Sequence, residues 1–490
     1  MRRACSGMLA ILLLLSLLVS CGNDTAETSA TSTDTTPTQS QTETVPAETT
    51  RADYPDDLPE MDFAGQEYII CNTQNNDIDK QYEILSEELT GEACNDAVYH
   101  RNVKVEDRFN THIAALMESE PENVLKQTAL SGDSAFTICG YVNFKAYVPV
   151  AAGACLNWLE VPYVDQSKPW NNQLANDPAT INGKLFAINS DLSISSLQYT
   201  YGMFFNYTLV QDQGYTPSAL YQMVFDGEWT VDKMREITEN VWIDTNGDTK
   251  HDRDDIHGYS VYPGLNTTDV WLAAFDLPVA TINNDGTYSI DFFCEKTISA
   301  LEKCIALTFT GDGAFTGTKN WREVPADFAS GKVMMTQLYF GETTQSLTDM
   351  EDTYGILPLP KYDEAQKDYY TNAWDQFSVF SVPVTATDLE FVGCIFEALS
   401  AETWRSVYPA YYDTALKSRY SADPEVAEIV DLIMAGRKFE FTFQFGNDLK
   451  NLPYMFREML AAKSTDVASK YKSVEKPMNE AIEKMYTYYE

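Results

Sequence analysis

Histidine is scarce in this 490-residue chain, which has only His100, His112, His251 and His257. None falls in an HExxH pair and no GxSxG elbow occurs, so the common metalloprotease and α/β-hydrolase signatures are missing. A glycine-rich phosphate loop is missing too. The nine cysteines include no CxxC pair. Past Cys5 and Cys21 there remain Cys71, Cys94, Cys139, Cys155, Cys294, Cys304 and Cys394. That odd set indicates neither a disulfide scaffold nor a zinc cluster and suits small buried apolar side chains. Basic charge is also short: 34 Lys and Arg stand against 73 Asp and Glu, a formal net charge of −39. Nucleic acid and anionic lipid both need a basic face, which argues against either as a partner of the folded part. One catalytic arrangement stays open, because a chain this rich in acids always has room for a glycosidase-like carboxylate pair.

What is present starts at the N-terminus. "MRRACSGMLAILLLLSLLVSC" has Arg2 and Arg3, an apolar run from Met8 to Val19, then Ser20 and Cys21. The run is shorter than the ~20 apolar residues that cross a bilayer, so it reads as a secretion signal over 1–20. Its end, "LVSC", resembles the bacterial lipobox. That implies cleavage before Cys21, lipid on the Cys21 thiol and a chain held at the extracellular face of the cell membrane. Residues 21–58 are rich in Thr, Ser, Glu and Pro and almost free of large apolar side chains. They read as a disordered tether with a reach of roughly 30–35 Å. The residues that follow hold no apolar run of spanning length and are too many for one core, which suits two lobes.

Strand-like and helix-like patterns alternate along them. "EYIICN" (67–72), "KLFAIN" (184–189), "YGMFFN" (201–206), "KVMMTQLYF" (332–340) and "FSVFSVPV" (377–384) read as strands. "NDAVYHRNVKVEDRF" (95–109) reads as a helix capped by Asn95. "WTVDKMREITENVW" (229–242) reads as one capped by Thr230, with Met234, Ile237 and Val241 on a single face. From about Leu452 the chain is helical with polar faces. The alternation indicates α/β lobes.

Several pieces occur in a telling order: "INGKLFAINSDLSISSLQYTYGMFFNYTLVQDQGY", "FDGEWTVDKM", "GKVMMTQLYF" and "YGILPLPKYDEAQKDYYT". Together they resemble the extracellular solute-binding lipoproteins of bacterial ABC importers, in the sugar-binding group related to maltodextrin-binding proteins. "NDAVYHRNVKVEDRF" and "VPYVDQSKPWNN" resemble passages of clostridial members. The likeness spans most of 67–490 through the order of its motifs, no one of which is diagnostic. It implies two α/β lobes of the periplasmic-binding-protein type (type II) joined by a multi-strand hinge. The first lobe would comprise 59–197 plus 380–410 and the second 198–379 plus 411–490. Crossings would lie near 195–201, 377–384 and 408–413. It further implies a monomer that takes a carbohydrate between the lobes and hands it to ABC permease subunits. "KPWNN" departs from the pattern, since a second aromatic is expected beside Trp170, and this puts any role of Asn171 in doubt.

An acidic loop stands apart. "WIDTNGDTKHDRDDIHGY" (242–259) places Asp244, Asn246, Asp248, Lys250, Asp252 and Asp255 at positions 1, 3, 5, 7, 9 and 12 of an EF-hand spacing, with Lys250 offering its carbonyl. Calcium takes six to eight hard oxygens, so Ca²⁺ is expected here as a structural brace. Thr249 in place of the usual glycine, His251 in place of an aliphatic residue and the short Asp255 point to a weak or water-filled site. A merely solvated acidic turn is the other reading.

Recognition of a neutral sugar uses flat aromatic faces and planar polar side chains. The supply is ample, with 29 Tyr, 24 Phe and 8 Trp. Strand ends and crossing loops nominate Trp170, Tyr199, Trp271, Tyr339, Phe340 and Trp374 for stacking, Asp375 as a hydroxyl acceptor, and Gln74, Asn75 and Glu87 from the first lobe. Each aromatic taken singly fits core packing at least as well. No catalytic residue is assigned. The alternatives to a carbohydrate receptor are a secreted glycosidase or lyase, a surface adhesin, and a receptor for amino acid or peptide cargo.

Overall fold

The computed structural model describes residues 50–74, 83–133, 135–283, 288–417 and 424–490. The signal sequence, Cys21 and most of the expected tether lie outside them, as does Asn75. Among the described residues no helix is long and apolar enough to cross a membrane.

Two sheets organise the chain into two lobes. In the first lobe, β1 (Gln66–Thr73) lies between the parallel strands β2 (Thr111–Glu118) and β3 (Ile138–Val142). Strand β12 (Ser378–Ser381), from far along the sequence, pairs antiparallel with β3 and completes the order β12-β3-β1-β2. The helix Ala93–Phe109 covers this sheet by burying Val98, Val105 and Phe109, a spacing that keeps one face inward. Its cap is the Glu92 carboxylate, which accepts from the amides of Cys94 and Asn95, and Asn110 ends it at φ 46°. Asn95 therefore sits in the first turn and not at the cap.

The second lobe is built on the order β11-β4-β10-β6-β5: Tyr354–Leu357, Tyr201–Asn206, Val333–Tyr339, Ile256–Ser260 and Trp242–Ile243, with Ala314–Phe315 (β9) joining β6 and β7 (Ala280–Ile282) and β8 (Tyr288–Ile290) forming a separate antiparallel pair. Strand β4 is wholly buried and pairs antiparallel with β10 from Tyr201↔Tyr339 to Phe205↔Met335. Thr230 does cap the next helix, accepting from Lys233 N at 3.2 Å, and Met234 and Ile237 face inward. The stretch "KLFAIN" is no strand. Its strand-type pairing is limited to single bridges, Ile181↔Lys184 and Ile188↔Phe380.

Three connections join the sheets. One is the helical turn Ser195–Gln198 with Tyr199 and Thr200, which leads into β4. The second, 371–377, runs antiparallel beside it: Trp374 N donates to Tyr199 O at 2.9 Å and Tyr201 N to Asn372 O at 3.1 Å. On the first-lobe side, Phe144 N donates to Asp375 O at 3.1 Å and Asn143 N to Phe377 O at 2.9 Å. The third is helical. The helix Leu389–Glu402 widens into π-helical turns, Thr403–Val407 and Ala410–Lys417, before Pro424–Ala435 packs on β11.

Residues 50–58, placed in the tether by composition, are folded. Tyr54 meets Trp170 and Trp404 edge-on, Asp56 pairs with Arg108 at 2.7 Å and with Arg405 at 3.2 Å, and Arg51 lies over Trp404 and Tyr408. A few aromatic and charged groups suffice to hold a segment that lacks an apolar pattern.

Candidate functional site

The return crossing carries the side chains that matter most. Its Trp374 and Asp375 line a cavity of about 390 Å³ with Phe144, Asn266, Trp321, Arg322, Gln376, Asn447, Tyr454 and Arg457. Trp374 is half-buried and its ring has three aromatic neighbours: Tyr199 at 5.6 Å, Tyr339 at 5.7 Å and Trp321 at 5.7 Å. Tyr199 and Tyr339 themselves are buried and meet edge-on at 5.5 Å, so they stand behind Trp374 as a rigid backing. Strand pairing explains why. Tyr339 ends β10 opposite Tyr201, and the adjacent Phe340 N donates to Thr200 O, so both crossing segments converge on one aromatic cluster.

The polar side of the cavity is equally held. Asp375 Oδ2 accepts from the Tyr454 hydroxyl at 2.8 Å, and burial pushes its carboxyl up to about 6, against the opposing pull of that hydrogen bond and of the Arg457 charge. Arg457 lies 4.0 Å from the centre of the Tyr454 ring and pairs with the buried Asp269 at 2.8 Å. Burial likewise raises the Asp269 carboxyl well above the usual range. Asn266 Nδ2 donates to the Tyr201 hydroxyl at 2.5 Å, which fixes the amide against the same cluster. Chemically the cavity offers two indole faces and a ring of planar donors and acceptors.

The nominated residues separate into groups. Trp374 and Asp375 line the cavity, and Tyr199 and Tyr339 support it from behind. Trp170, Trp271 and Phe340 are fully buried and line neither described cavity. Trp170 Nε1 donates to Glu397 at 2.8 Å with Tyr54 and Trp404 against its ring, while Trp271 stacks on Phe275 at 5.3 Å. These three are core side chains, because a large aromatic beside a crossing suits the interior as well as a cleft. Gln74 and Glu87 are exposed and line neither described cavity. Sequence reasoning missed Trp321, Tyr454 and Arg457. The spacing of Tyr454 and Arg457, three apart at a helix start, was the available signal.

The acidic loop is wound by its own amides. Asp244 accepts from Gly247 N at 2.6 Å and Thr249 N at 2.8 Å, Asn246 from Asp248 N at 2.8 Å, and Asp252 from Asp254 N at 2.9 Å. Thr249 takes φ 61°, the left-handed conformation for which glycine is usual. Asp248 pairs with the Lys250 ammonium at 2.6 Å, and buried Asp255 accepts from Trp242 Nε1 at 2.8 Å. Among the described residues no three His, Cys, Asp or Glu side chains are grouped to hold a metal ion. As folded, then, these oxygens face amides, Lys250 and Trp242.

No family model and no curated protein matches the chain by sequence. Solved structures do match by fold. The cyclic α-maltosyl-1,6-maltose binding protein of Arthrobacter globiformis is 14% identical at a TM-score of 0.57, with 85% of this chain and 99% of that one covered. The maltose/maltodextrin-binding domain MalE of Bdellovibrio bacteriovorus, bound to maltotriose, is 14% identical at 0.55, with 86% and 99% covered. The GacH receptor of Streptomyces glaucescens, solved unliganded and with acarbose, is 14% identical at 0.53, with 85% and 99% covered. The chain has the two-lobed α/β fold that these proteins share.

Proposed function

We propose that this protein is a receptor that captures a carbohydrate at the Trp374 cavity and releases it, unaltered, to an ABC importer. The observation that carries the reading is the indole pair Trp374 and Trp321, edge to face at 5.7 Å, set beside Asp375, Asn266, Asn447 and Gln376. An apolar ring face flanked by planar hydrogen-bonding groups is what a sugar presents in complement, and the solved structures of like fold are named for binding maltosyl sugars or acarbose. Closure follows from population shift: a solute that touches both lobes favours the state in which they meet. The lipobox-like "LVSC" supports anchoring through Cys21 at the outer face of the membrane, with permeases as the next partner. Calcium remains a proposal for the acidic loop, where it would require Asp248 to turn away from Lys250.

A thermal-shift screen over mono- and oligosaccharides tests the reading, since a ligand of the folded state raises the melting temperature with the logarithm of its saturation. Product analysis after long incubation accompanies it. Intact saccharide with a raised melting temperature is the expected result, whereas cleaved saccharide would replace the receptor by the glycosidase alternative.

A further inference from the structure

Trp374 and Asp375 lie between two stitches that join the first and second crossings. Toward the second lobe the stitch is backbone: Trp374 N donates to Tyr199 O at 2.9 Å and Tyr201 N to Asn372 O at 3.1 Å. Toward the first lobe it is made by side chains. The Glu83 carboxylate, 1% exposed, accepts through Oε1 from the hydroxyls of Ser193 at 2.8 Å and Ser378 at 2.6 Å. Through Oε2 it accepts from Asn72 Nδ2, near the end of β1, at 2.6 Å. Ser378 N donates in turn to Ser195 Oγ at 2.8 Å, so one group of buried hydroxyls ties the start of the first crossing to the end of the second.

The backbone at Glu83 is fixed as well. Arg101, 1% exposed on the helix Ala93–Phe109, donates to Glu83 O at 3.0 Å, Ile84 O at 2.7 Å and Leu192 O at 3.3 Å. It also donates to Thr403 Oγ1 at 3.0 Å, where the third connection starts its π-helical turns. One acid and one cation therefore reach all three connections and bind them to the first lobe.

Asp375 depends on such anchoring. It lines the Trp374 cavity and also a second cavity, of about 270 Å³, so packing does not enclose it on those sides. The amides of Asn143 and Phe144 hold its segment to the first lobe, through Phe377 O and Asp375 O. The Glu83 stitch, three residues further on at Ser378, holds that segment against the first crossing, from which Tyr199 backs Trp374.

We propose that Glu83 is a positioning residue of the saccharide site: without touching the sugar, its carboxylate fixes the segment bearing Trp374 and Asp375 against the first crossing. The role rests on the reading of the Trp374 cavity as that site, whereas the stitch is tested with no sugar present.

Two substitutions separate the hydrogen bonds from the bulk. Glu83→Met removes both acceptor oxygens and keeps a side chain of similar length. Glu83→Gln keeps one acceptor for the two serines, and Asn72, whose Oδ1 has no partner among the described residues, can turn its amide to accept from the new N–H. Hydrogen exchange of the ligand-free full chain, read by mass spectrometry, should be roughly tenfold faster over 193–201 and 371–378 in Glu83→Met, with β10 unchanged, because a local opening leaves the rest protected. Glu83→Gln should restore the wild-type pattern. In chains carrying 5-fluorotryptophan, the ¹⁹F resonance of Trp374, assigned by its loss in Trp374→Phe, should shift or broaden in Glu83→Met and return in Glu83→Gln. Where Glu83→Met does not fold, Ser378→Ala removes one donor to the same oxygen and takes its place in both measurements. Unchanged exchange at the crossings, an equal rise in β10, an undisturbed Trp374 resonance, or Glu83→Gln as perturbed as Glu83→Met would each overturn the proposal. A thermal screen without a saccharide hit would remove the receptor reading and leave these outcomes as they are.

Discussion

The pH dependence of saccharide binding should follow Asp375. In the free protein its carboxyl is held at about 6 instead of the ordinary 3.8, mainly by burial. That displacement of about two units corresponds to roughly 3 kcal/mol, a ceiling because the cavity wall is only half-buried. A sugar hydroxyl that donates to Asp375 favours the ionised form, so the carboxyl must titrate lower in the complex than in the free protein. The sign is then set. Affinity rises as pH climbs from the complex's value toward 6 and levels off above it, by a factor of up to about 100 if the whole shift is relieved. Fluorescence titrations with the best saccharide from the thermal screen, at several pH values between 4.5 and 7.5, give the profile directly. Asp375→Asn should flatten it and weaken binding at neutral pH by about 10- to 100-fold, the worth of a hydrogen bond to a charged acceptor. A flat wild-type profile, or an unchanged slope in Asp375→Asn, would refute the assignment of Asp375 as the acceptor.

Trp374→Ala should raise the saccharide Kd, read by calorimetry, at least tenfold by removing the stacking face, with Trp374→Phe recovering part of the loss. Glu397 is fully buried, its carboxyl is pushed up to about 8 by burial, and it accepts from Trp170 and Asn171. A raised acid contributes stability in its protonated form, so folding free energy should fall as pH rises from about 4.5 to 8, by at most ~5 kcal/mol, and urea unfolding of Glu397→Gln should show that slope removed. Asp56→Asn should cost about 1–2 kcal/mol in the same assay, because Arg108 loses its two-pronged carboxylate partner while Arg405 keeps Glu402 and Tyr54 O. If calcium braces the acidic loop, millimolar Ca²⁺ should raise the melting temperature and Asp244→Asn should abolish the rise; no response in the wild type would remove calcium from the account.

The α/β alternation, the strands β1, β4 and β10 and the Thr230 cap were legible because each is encoded locally, in apolar runs of strand-forming residues and in a hydroxyl one residue ahead of a helix. Strand β2, as long as β1 but with a mixed face, was not. Motif order places the return crossing at 377–384, but the chain passes between the sheets at 371–377 and Ser378–Ser381 already belongs to the first-lobe sheet, because the apolar run that reads as the crossing is the strand it leads into. Which aromatics face solvent was not legible either. Trp170, Trp271 and Phe340 have the same local setting as Trp374, and only tertiary packing sends them inward. Trp321 and Tyr454 come from segments more than 50 residues from the crossing, so no local pattern joins them to it. "KLFAIN" reads as a strand because apolar composition alone does not provide a neighbour with a free edge, and single bridges are all it finds. Glu92 escaped notice as a cap because its longer side chain is an uncommon choice there.

The folded stretch from Arg51 to Leu58 has a mechanical consequence. Tyr54 is wedged between Trp170 and Trp404, Asp57 holds Lys168, and the Arg405 guanidinium grips Tyr54 O at 2.6 Å. Any pull exerted through the chain ahead of it enters the body there, at the four-stranded half and the start of the π-helical turns. The half that carries Trp321 and Tyr454 bears none of that load directly.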